Sequence, residues 1–231
     1  MDRPLASIRG VGPKKAALLE KLGVASPAEL VRMLPRTYED YSRQTEVAML
    51  EHGGLAAVNV RILTTAAAVR LPGGRTLVSC TAADATGPLR LAWFNQPYRA
   101  GRVRAGEQYF ACGQVDRRRG VAMVNPSLSR ELPGIVPIYP LTKGLRQLDV
   151  RRAMERALEL PLPQDALPEA FRARFGLCGL EFALRQAHFP ADEASLAQAR
   201  HRLAFEDMLY FQLALAQLRC ERLAQPGHAM K

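Results

Sequence analysis

Apolar and polar residues change their rhythm twice along this chain. Between residues 56 and 131 they alternate in short runs broken by Gly, Pro and Asp, the period of half-buried strands. Five runs are predicted as strands: Ala57–Val69, Thr76–Ala83, Leu89–Phe94, Glu107–Val115 and Val121–Val124. Leu71-Pro-Gly-Gly-Arg75, Asp84-Ala-Thr-Gly87 and Asp116–Gly120 read as turns, and Asn125-Pro126 ends the fifth run. On either side the period is helical. Ala16, Leu18, Leu19 and Leu22 follow Pro13, and Gly23 stops that run. Ser26 is placed as an N-cap with Pro27 at the first helical position, and Leu30, Val31 and Leu34 form the apolar face before Pro35.

The segment Pro35–Tyr41 has neither period and reads as a linker laid over the next domain, while Pro133–Pro140 reads as extended, adding a strand or crossing the barrel. Later, Leu148–Leu160 presents Val150, Met154, Ala157 and Leu158 on one helical face, and Phe171, Phe175 and Leu177 suit a short helix or turn. Phe182, Leu184, Ala187 and Phe189 lead to Pro190. The longest helical pattern, Asp192–Leu223, has an apolar face too broad for a solvent helix, so it needs the barrel or a partner outside this chain to pack on. The fold class expected is α+β: an N-terminal helical hairpin, a five-stranded Greek-key β-barrel of the OB type, and C-terminal helices. The expected domains are residues 1–50 (helix-hairpin-helix-like), 51–140 (barrel) and 141–231 (helical connector).

Charge sharpens this picture. The 231 residues carry a formal +10, and residues 56–131 hold 11 Lys and Arg against 4 Asp and Glu, a net +7. A positive field concentrated on the barrel attracts polyanions, of which nucleic acid is the commonest in a cytosol. The break after the third strand, residues 95–106, contains Tyr98, Arg99, Arg102 and Arg104, and it follows Trp93 and Phe94 directly. Aromatics at a strand tip flanked by arginines suit stacking on unpaired bases, although large aromatics are more often core. Arg117–Arg119 form a second basic loop, either a DNA contact or a solvated edge turn. Gly10 and Gly12 ahead of Lys14 and Lys15 suit a phosphate-binding turn at a helix N-terminus, or plain two-helix packing. Cys80, Cys112, Cys178 and Cys220 form no CxxC pair or zinc spacing, and His52, His188, His201 and His228 add no metal pattern. The cysteines read as reduced, and mostly as small core residues. With no secretory signal pattern and no apolar run of membrane-spanning length, a cytosolic location is expected. The C-terminal residues 225–231 are expected to fray.

Five stretches in order, SIRGVGPKKAALLEKLG, LVRMLPRTYEDYS, LAWFNQPY, PIYPLTKGLRQ and AHFPADEASLAQARHRLAFEDMLYFQLAL, cover about residues 5–217. Together they resemble the N-terminal portion of the RecG family of ATP-dependent DNA helicases. The resemblance implies an OB-fold wedge that grips branched DNA, at stalled replication forks and Holliday junctions, in recombination and repair. It implies base-stacking at Phe94 and Tyr98 of the FNQPY segment, and phosphate contacts at Arg99, Arg102, Arg104, Arg117, Arg118, Lys14 and Lys15. It further implies a bacterial, nucleoid-associated monomer working with its own helicase motor, with ATP and Mg²⁺ as the full-length family's cofactors.

No GxxxxGK[ST], DExH-type metal-binding motif or arginine-finger segment occurs, so this chain alone is expected to bind DNA without cofactor or hydrolysis, as a fragment or truncated product. The alternative expectation is a non-enzymatic protein-interaction module built on an OB barrel. Strand parity divides the aromatics. Trp93 and Phe94, adjacent in an extended strand, face opposite sides, so Trp93 is expected beneath the loop and Phe94 with Tyr98 outside.

Overall fold

The computed structural model describes residues 4–118 and 120–224. Arg119 of the second basic loop, the tail 225–231 and His228 lie outside the described residues. Where the sequence suggests three consecutive domains, contacts divide the chain into two units. One runs Tyr38–Val136, and the other joins residues up to Thr37 with those from Pro137 onward.

The first unit is a closed barrel. Its strands are β2 (Leu55–Ile62), β4 (Thr76–Ala83), β5 (Pro88–Phe94), β6 (Gln108–Asp116) and β7 (Ala122–Val124), following β1 (Thr37–Tyr41) in the chain. The order β2-β4-β5-β7-β6 closes because β2 also pairs with β6, from Leu55↔Gln114 to Arg61↔Gln108. All of these pairings are antiparallel except β5 with β7. Closure removes free sheet edges and forces strict alternation on each strand. Val78, Cys80 and Ala82 of β4, with Leu89, Leu91 and Trp93 of β5, are buried inside with Val58, Val60, Ile62 and Met123. Burial pushes the Cys80 and Cys112 thiols up to about 11, so both stay protonated at neutral pH.

The structure corrects three features of the strand reading. The run Ala57–Val69 is two elements, β2 and β3 (Ala67–Arg70), because the chain turns a corner where Leu63 N–H and Thr64 N–H both donate to the Thr81 carbonyl. β3 then pairs with β4 outside the closed ring, across the Leu71–Arg75 turn in which Gly73 and Gly74 adopt positive φ. After Asn125-Pro126 the chain forms a further strand, β8 (Ser127–Ser129), on β6. The supposed linker Pro35–Tyr41 contains β1, whose partner is β9 (Gly134–Ile138), nearly a hundred residues away and invisible to any local period. The unit boundary falls within both strands. Tyr41 is buried with Ala57 and Cys112 on the outer side of β2 and β6, where Phe110, Leu132 and Val136 join it. That outer face of the barrel is therefore covered.

The helical unit contains α1 (Pro13–Glu20), α2 (Pro27–Arg32), α3 (Gln147–Leu158), α4 (Glu169–Arg174), α5 (Leu180–His188) and α6 (Glu193–Ala224). Ser26 caps α2 as its sequence suggests, accepting from Glu29 N–H at 3.2 Å, while the Glu29 carboxylate accepts from Ala25 N–H at 2.7 Å. Leu19, Leu30, Val31, Val150, Met154, Leu180 and Leu184 share one core. His188 and Arg202 are among the polar residues sealed into this unit. His188 bonds the Val31 carbonyl through Nε2 at 2.8 Å and Tyr139 Oη through Nδ1 at 2.9 Å. Arg202 is fully buried and ion-pairs with Glu206 and with Asp165, while Glu206 also meets Arg32 at 3.2 Å.

The early part of α6 packs Ala199 and Leu203 into this core, and α5 is its neighbour, a partner the sequence did not single out. Beyond Asp207 the helix leaves that core: Met208, Tyr210, Phe211, Leu213, Leu218 and Leu223 are exposed. No described helix is long and apolar enough to cross a membrane.

Burial drives the His188 pKa down to about 4, against the opposing pull of the Val31 carbonyl. An unfolded histidine takes up its proton near pH 6.5, whereas the folded one resists until about 4. Stability from the neutral ring is therefore complete above the unfolded pKa and is lost as pH falls through that window, by roughly 3 kcal/mol. Urea unfolding between pH 7 and 4 should show this loss, and His188→Gln, which keeps a donor and an acceptor without titrating, should flatten the slope relative to the parent.

Candidate nucleic-acid interface

Alternation along β5 sends Leu89, Leu91 and Trp93 into the barrel and leaves Arg90, Ala92 and Phe94 on its outer side. Trp93 is completely buried, and its indole N–H donates to the Pro126 carbonyl at 2.8 Å. Pro126 lies close over β6, since a Cβ on Gly113 would stand 3.3 Å from its Cα. Phe94 emerges 38% exposed and Tyr98 57% exposed. The expected division of the aromatics is the one the barrel produces.

Two asparagines shape the tip at which β5 ends. Asn95 takes φ 55° and pairs with Thr76 twice, donating its N–H to the Thr76 carbonyl at 2.7 Å and accepting from Thr76 N–H through Oδ1 at 3.2 Å. Asn125, at φ 50°, accepts from Phe94 N–H at 2.9 Å and from Gln96 Nε2 at 3.3 Å through the same oxygen. Asparagine is among the few residues with a side chain that enter this left-handed region readily. Gln96 is the hub beyond it. Its Oε1 accepts from Tyr98 Oη and from Arg99 Nε, both at 2.8 Å. The Arg99 guanidinium lies 4.9 Å from the Trp93 ring centroid and 5.9 Å from that of Tyr98. Arg99 is thus packed on the aromatics as a cation–π bridge.

The other basic residues differ in how they are held. Arg102 is exposed, and Arg104 is exposed with Nε donating to Gly101 O at 3.3 Å. Arg104 N–H donates to the Glu107 carboxylate at 2.9 Å, the main reason that carboxyl sits below its usual range. Arg130, beside Glu107, stacks its guanidinium 4.2 Å from the Tyr109 centroid. Arg117 Nη1 donates to Leu50 O at 2.7 Å, tying this side chain to the barrel. Arg118 grips Asp116 through Nε and Nη2, and these bonds, helped by Arg118 N–H, hold the carboxyl of Asp116 far below the carboxylate range.

In the helical unit, Lys14 is exposed, while Lys15 Nζ meets Asp149 at 3.0 Å. Asp149 is held near 2, chiefly by hydrogen bonds from Arg146 and then by Lys15. Gly10 has φ 86° in the turn, and Gly12 is the residue preceding α1. Phe94, Tyr98 and Arg99 therefore form one cluster with Gln96 and Asn125, the two residues that the sequence reading did not single out. An asparagine directly after β5 and another directly after β7 were the available signal. Among the described residues no group of three or more His, Cys, Asp or Glu could hold a metal ion.

Comparison with known proteins gives one consistent result. A family model described as the RecG wedge domain matches residues 4–160. The chain is 28% identical over 229 residues to the ATP-dependent DNA helicase RecG of Streptococcus pneumoniae, covering 97% of this chain and 34% of that protein. It is 29% identical to RecG of Escherichia coli K12, covering 98% and 34%. A solved structure of RecG bound to a three-way DNA junction superposes with a TM-score of 0.82 at 27% identity, covering 96% of this chain and 32% of that one. The chain thus spans about a third of the length of these relatives.

Asn125→Ala should destabilise the barrel by about 1–2 kcal/mol, because it removes the acceptor for Phe94 N–H and leaves an alanine at positive φ. Asn125→Gly should recover the backbone part of that loss. Thermal unfolding of both variants checks the ordering, parent above Gly above Ala.

Proposed function

The chain belongs to the RecG wedge-domain family, and from that premise we propose that its barrel binds branched DNA, such as stalled forks and Holliday junctions, by stacking Phe94 and Tyr98 on bases at the branch point. The observation that carries this reading is the tip of β5. Two aromatic rings stand exposed on a hydrogen-bonded turn while the neighbouring Trp93 is buried beneath them. An exposed ring on a rigid support offers a flat apolar face at little conformational cost, and every base has a matching π-face. Arg102 and Arg104 lie just beyond the tip and suit phosphate contacts, as do Arg117 and Arg118 in the turn after β6. Arg99 acts in this reading by holding Tyr98 as well as by its charge. Lys14 suits a further phosphate contact from the helical unit, and Lys15 joins it where DNA competes with Asp149.

Catalysis is assigned to a helicase motor. The chain contains no phosphate-binding GxxxxGK[ST] segment, so ATP and Mg²⁺ belong with the motor of a whole RecG-like protein, which would reverse forks and unwind junctions. The chain by itself binds as a monomer, in the bacterial cytoplasm at the nucleoid. The apolar residues exposed along the later part of α6 favour a protein contact there, and in a RecG-like protein that contact is with the motor.

Phe94→Ala combined with Tyr98→Ala should weaken binding to a synthetic fork by roughly 1–3 kcal/mol per lost stack at fixed salt. Fluorescence anisotropy titration reads this directly. Affinity of the parent should also fall steeply with salt and favour forks over linear duplex. A double variant that binds the fork like the parent would sink the stacking role, and salt-insensitive or absent DNA binding would favour an interaction module instead.

A further inference from the structure

We propose that a basic cleft of the helical unit, between the Arg9–Gly10 turn and α3, receives the sugar–phosphate backbone of a duplex DNA arm. The inference rests on the reading of the chain as a branched-DNA binder and adds to it a contact in the other unit.

The cleft has a volume of about 540 Å³. Four cationic side chains line it, Arg9, Lys15, Arg152 and Arg156, against two carboxylates, Asp149 and Glu155. Asp149 is already answered twice, by Lys15 at 3.0 Å and by Arg146 at 2.8 Å. Arg156 is paired with Glu159 at 2.8 Å. Arg9 and Arg152 are exposed and have no ion-pair partner among the described residues. Arg152 and Arg156 stand one helical turn apart on α3, a spacing at which like charges repel. An anion between them would relieve that repulsion.

The turn that carries Arg9 is fixed in place. Ile8 and Val11, on either side of Arg9 and Gly10, are buried in the core, and Val11 N–H donates to Ile8 O at 3.0 Å. Gly10 takes φ 86° between them, a conformation that costs glycine little. Lys15 Nζ ties the turn to α3, reaching Gly10 O at 3.5 Å as well as Asp149. Arg9 and Arg152 thus project from backbone that needs no ordering when an anion arrives.

The chemistry of the lining selects the occupant. It includes no aromatic ring, and Ala153 is its one hydrocarbon side chain. An unpaired strand or a nucleotide would find nothing aromatic on which to stack a base. A protein partner would lack the apolar centre on which tight interfaces depend. A duplex hides its base faces and presents rows of phosphates, which is what separated, fixed guanidinium groups accept.

The test is Arg9→Ala combined with Arg152→Ala, titrated by fluorescence anisotropy against a linear duplex and a single strand of the same length. Neither side chain has a partner to lose, and thermal unfolding confirms the fold. Arg219→Ala combined with Arg222→Ala, on the exposed later part of α6, removes the same charge elsewhere in the unit. The cleft pair should lose about fivefold or more on the duplex and keep parental affinity for the single strand, and its salt dependence on the duplex should flatten by about 1.8 in log–log slope, the share of two phosphates. Glu155→Gln, which removes the exposed acid, should tighten duplex binding. Parental duplex binding by the cleft pair, equal losses on the two probes, or the same duplex loss in the α6 pair would overturn the cleft. Phe94→Ala with Tyr98→Ala, on a synthetic fork, separates the two levels. If that variant weakens fork binding while the cleft pair binds duplex normally, only the cleft falls. If it too binds normally, the branched-DNA reading falls with it.

Discussion

Closure of the barrel is the constraint on which the functional surface depends. Once β2 pairs with both β4 and β6, every strand has one side inside the barrel and one outside it, and no residue can choose between them. On β5 this sets the fate of two adjacent aromatics. Trp93 fills the interior and has its single donor satisfied by the Pro126 carbonyl, so it carries no unpaired polar atom into the core. Phe94, one residue on, must face outward. A slip of one residue in the pairing with β4 would bury Phe94 and expose Trp93, which the filled interior and the Pro126 bond both oppose.

The tip beyond β5 is rigid for a different reason. Its turn is held by side-chain amides bonding backbone and neighbouring side chains. Asn95 closes onto Thr76, Asn125 reaches Phe94 and Gln96, and Gln96 gathers Tyr98 and Arg99. Each of these bonds is partly open to water and contributes modestly, about 1 kcal/mol or so. Their joint effect is to reduce the rotamer freedom that Tyr98 and Arg99 would otherwise lose on meeting a ligand. Charge on the barrel is organised in the same way. Arg118 and Arg130 are paired or stacked, and Arg102 and Arg104 present their charge more openly.

The helical unit solves a separate problem, the burial of polar groups among few helices. Arg202 is enclosed by two carboxylates, Glu206 and Asp165, and Glu206 is shared with Arg32, so one network ties α6 to α2 and to the Pro-rich segment before α4. Removing any one partner leaves a buried charge, which costs far more than the intact network contributes. His188 is held neutral by burial and spends both ring nitrogens inside the core. Past this network α6 runs on with large apolar side chains in solvent.

Local patterns were enough for much of this. The sequence by itself determined the alternation of β4 and β5, the turn at Leu71–Arg75, the Ser26–Pro27 helix start, the opposite facing of Trp93 and Phe94, and the concentration of charge in residues 56–131. These depend on backbone periodicity, on capping and turn chemistry, and on composition, all of which act over a few residues. Tertiary structure alone decided the rest. It made a strand of Thr37–Tyr41 by supplying β9, split Ala57–Val69 at a barrel corner, and joined Gln96 to Asn125 around the base of the exposed rings. It also laid Arg99 against the Trp93 ring and gave Lys15 a counter-charge in Asp149, and it left one outer face of the barrel open while covering another. The reason is the same in each case. A strand partner, an ion-pair partner or a covering side chain comes from residues distant in the chain, and no period within one segment records which distant residue will arrive.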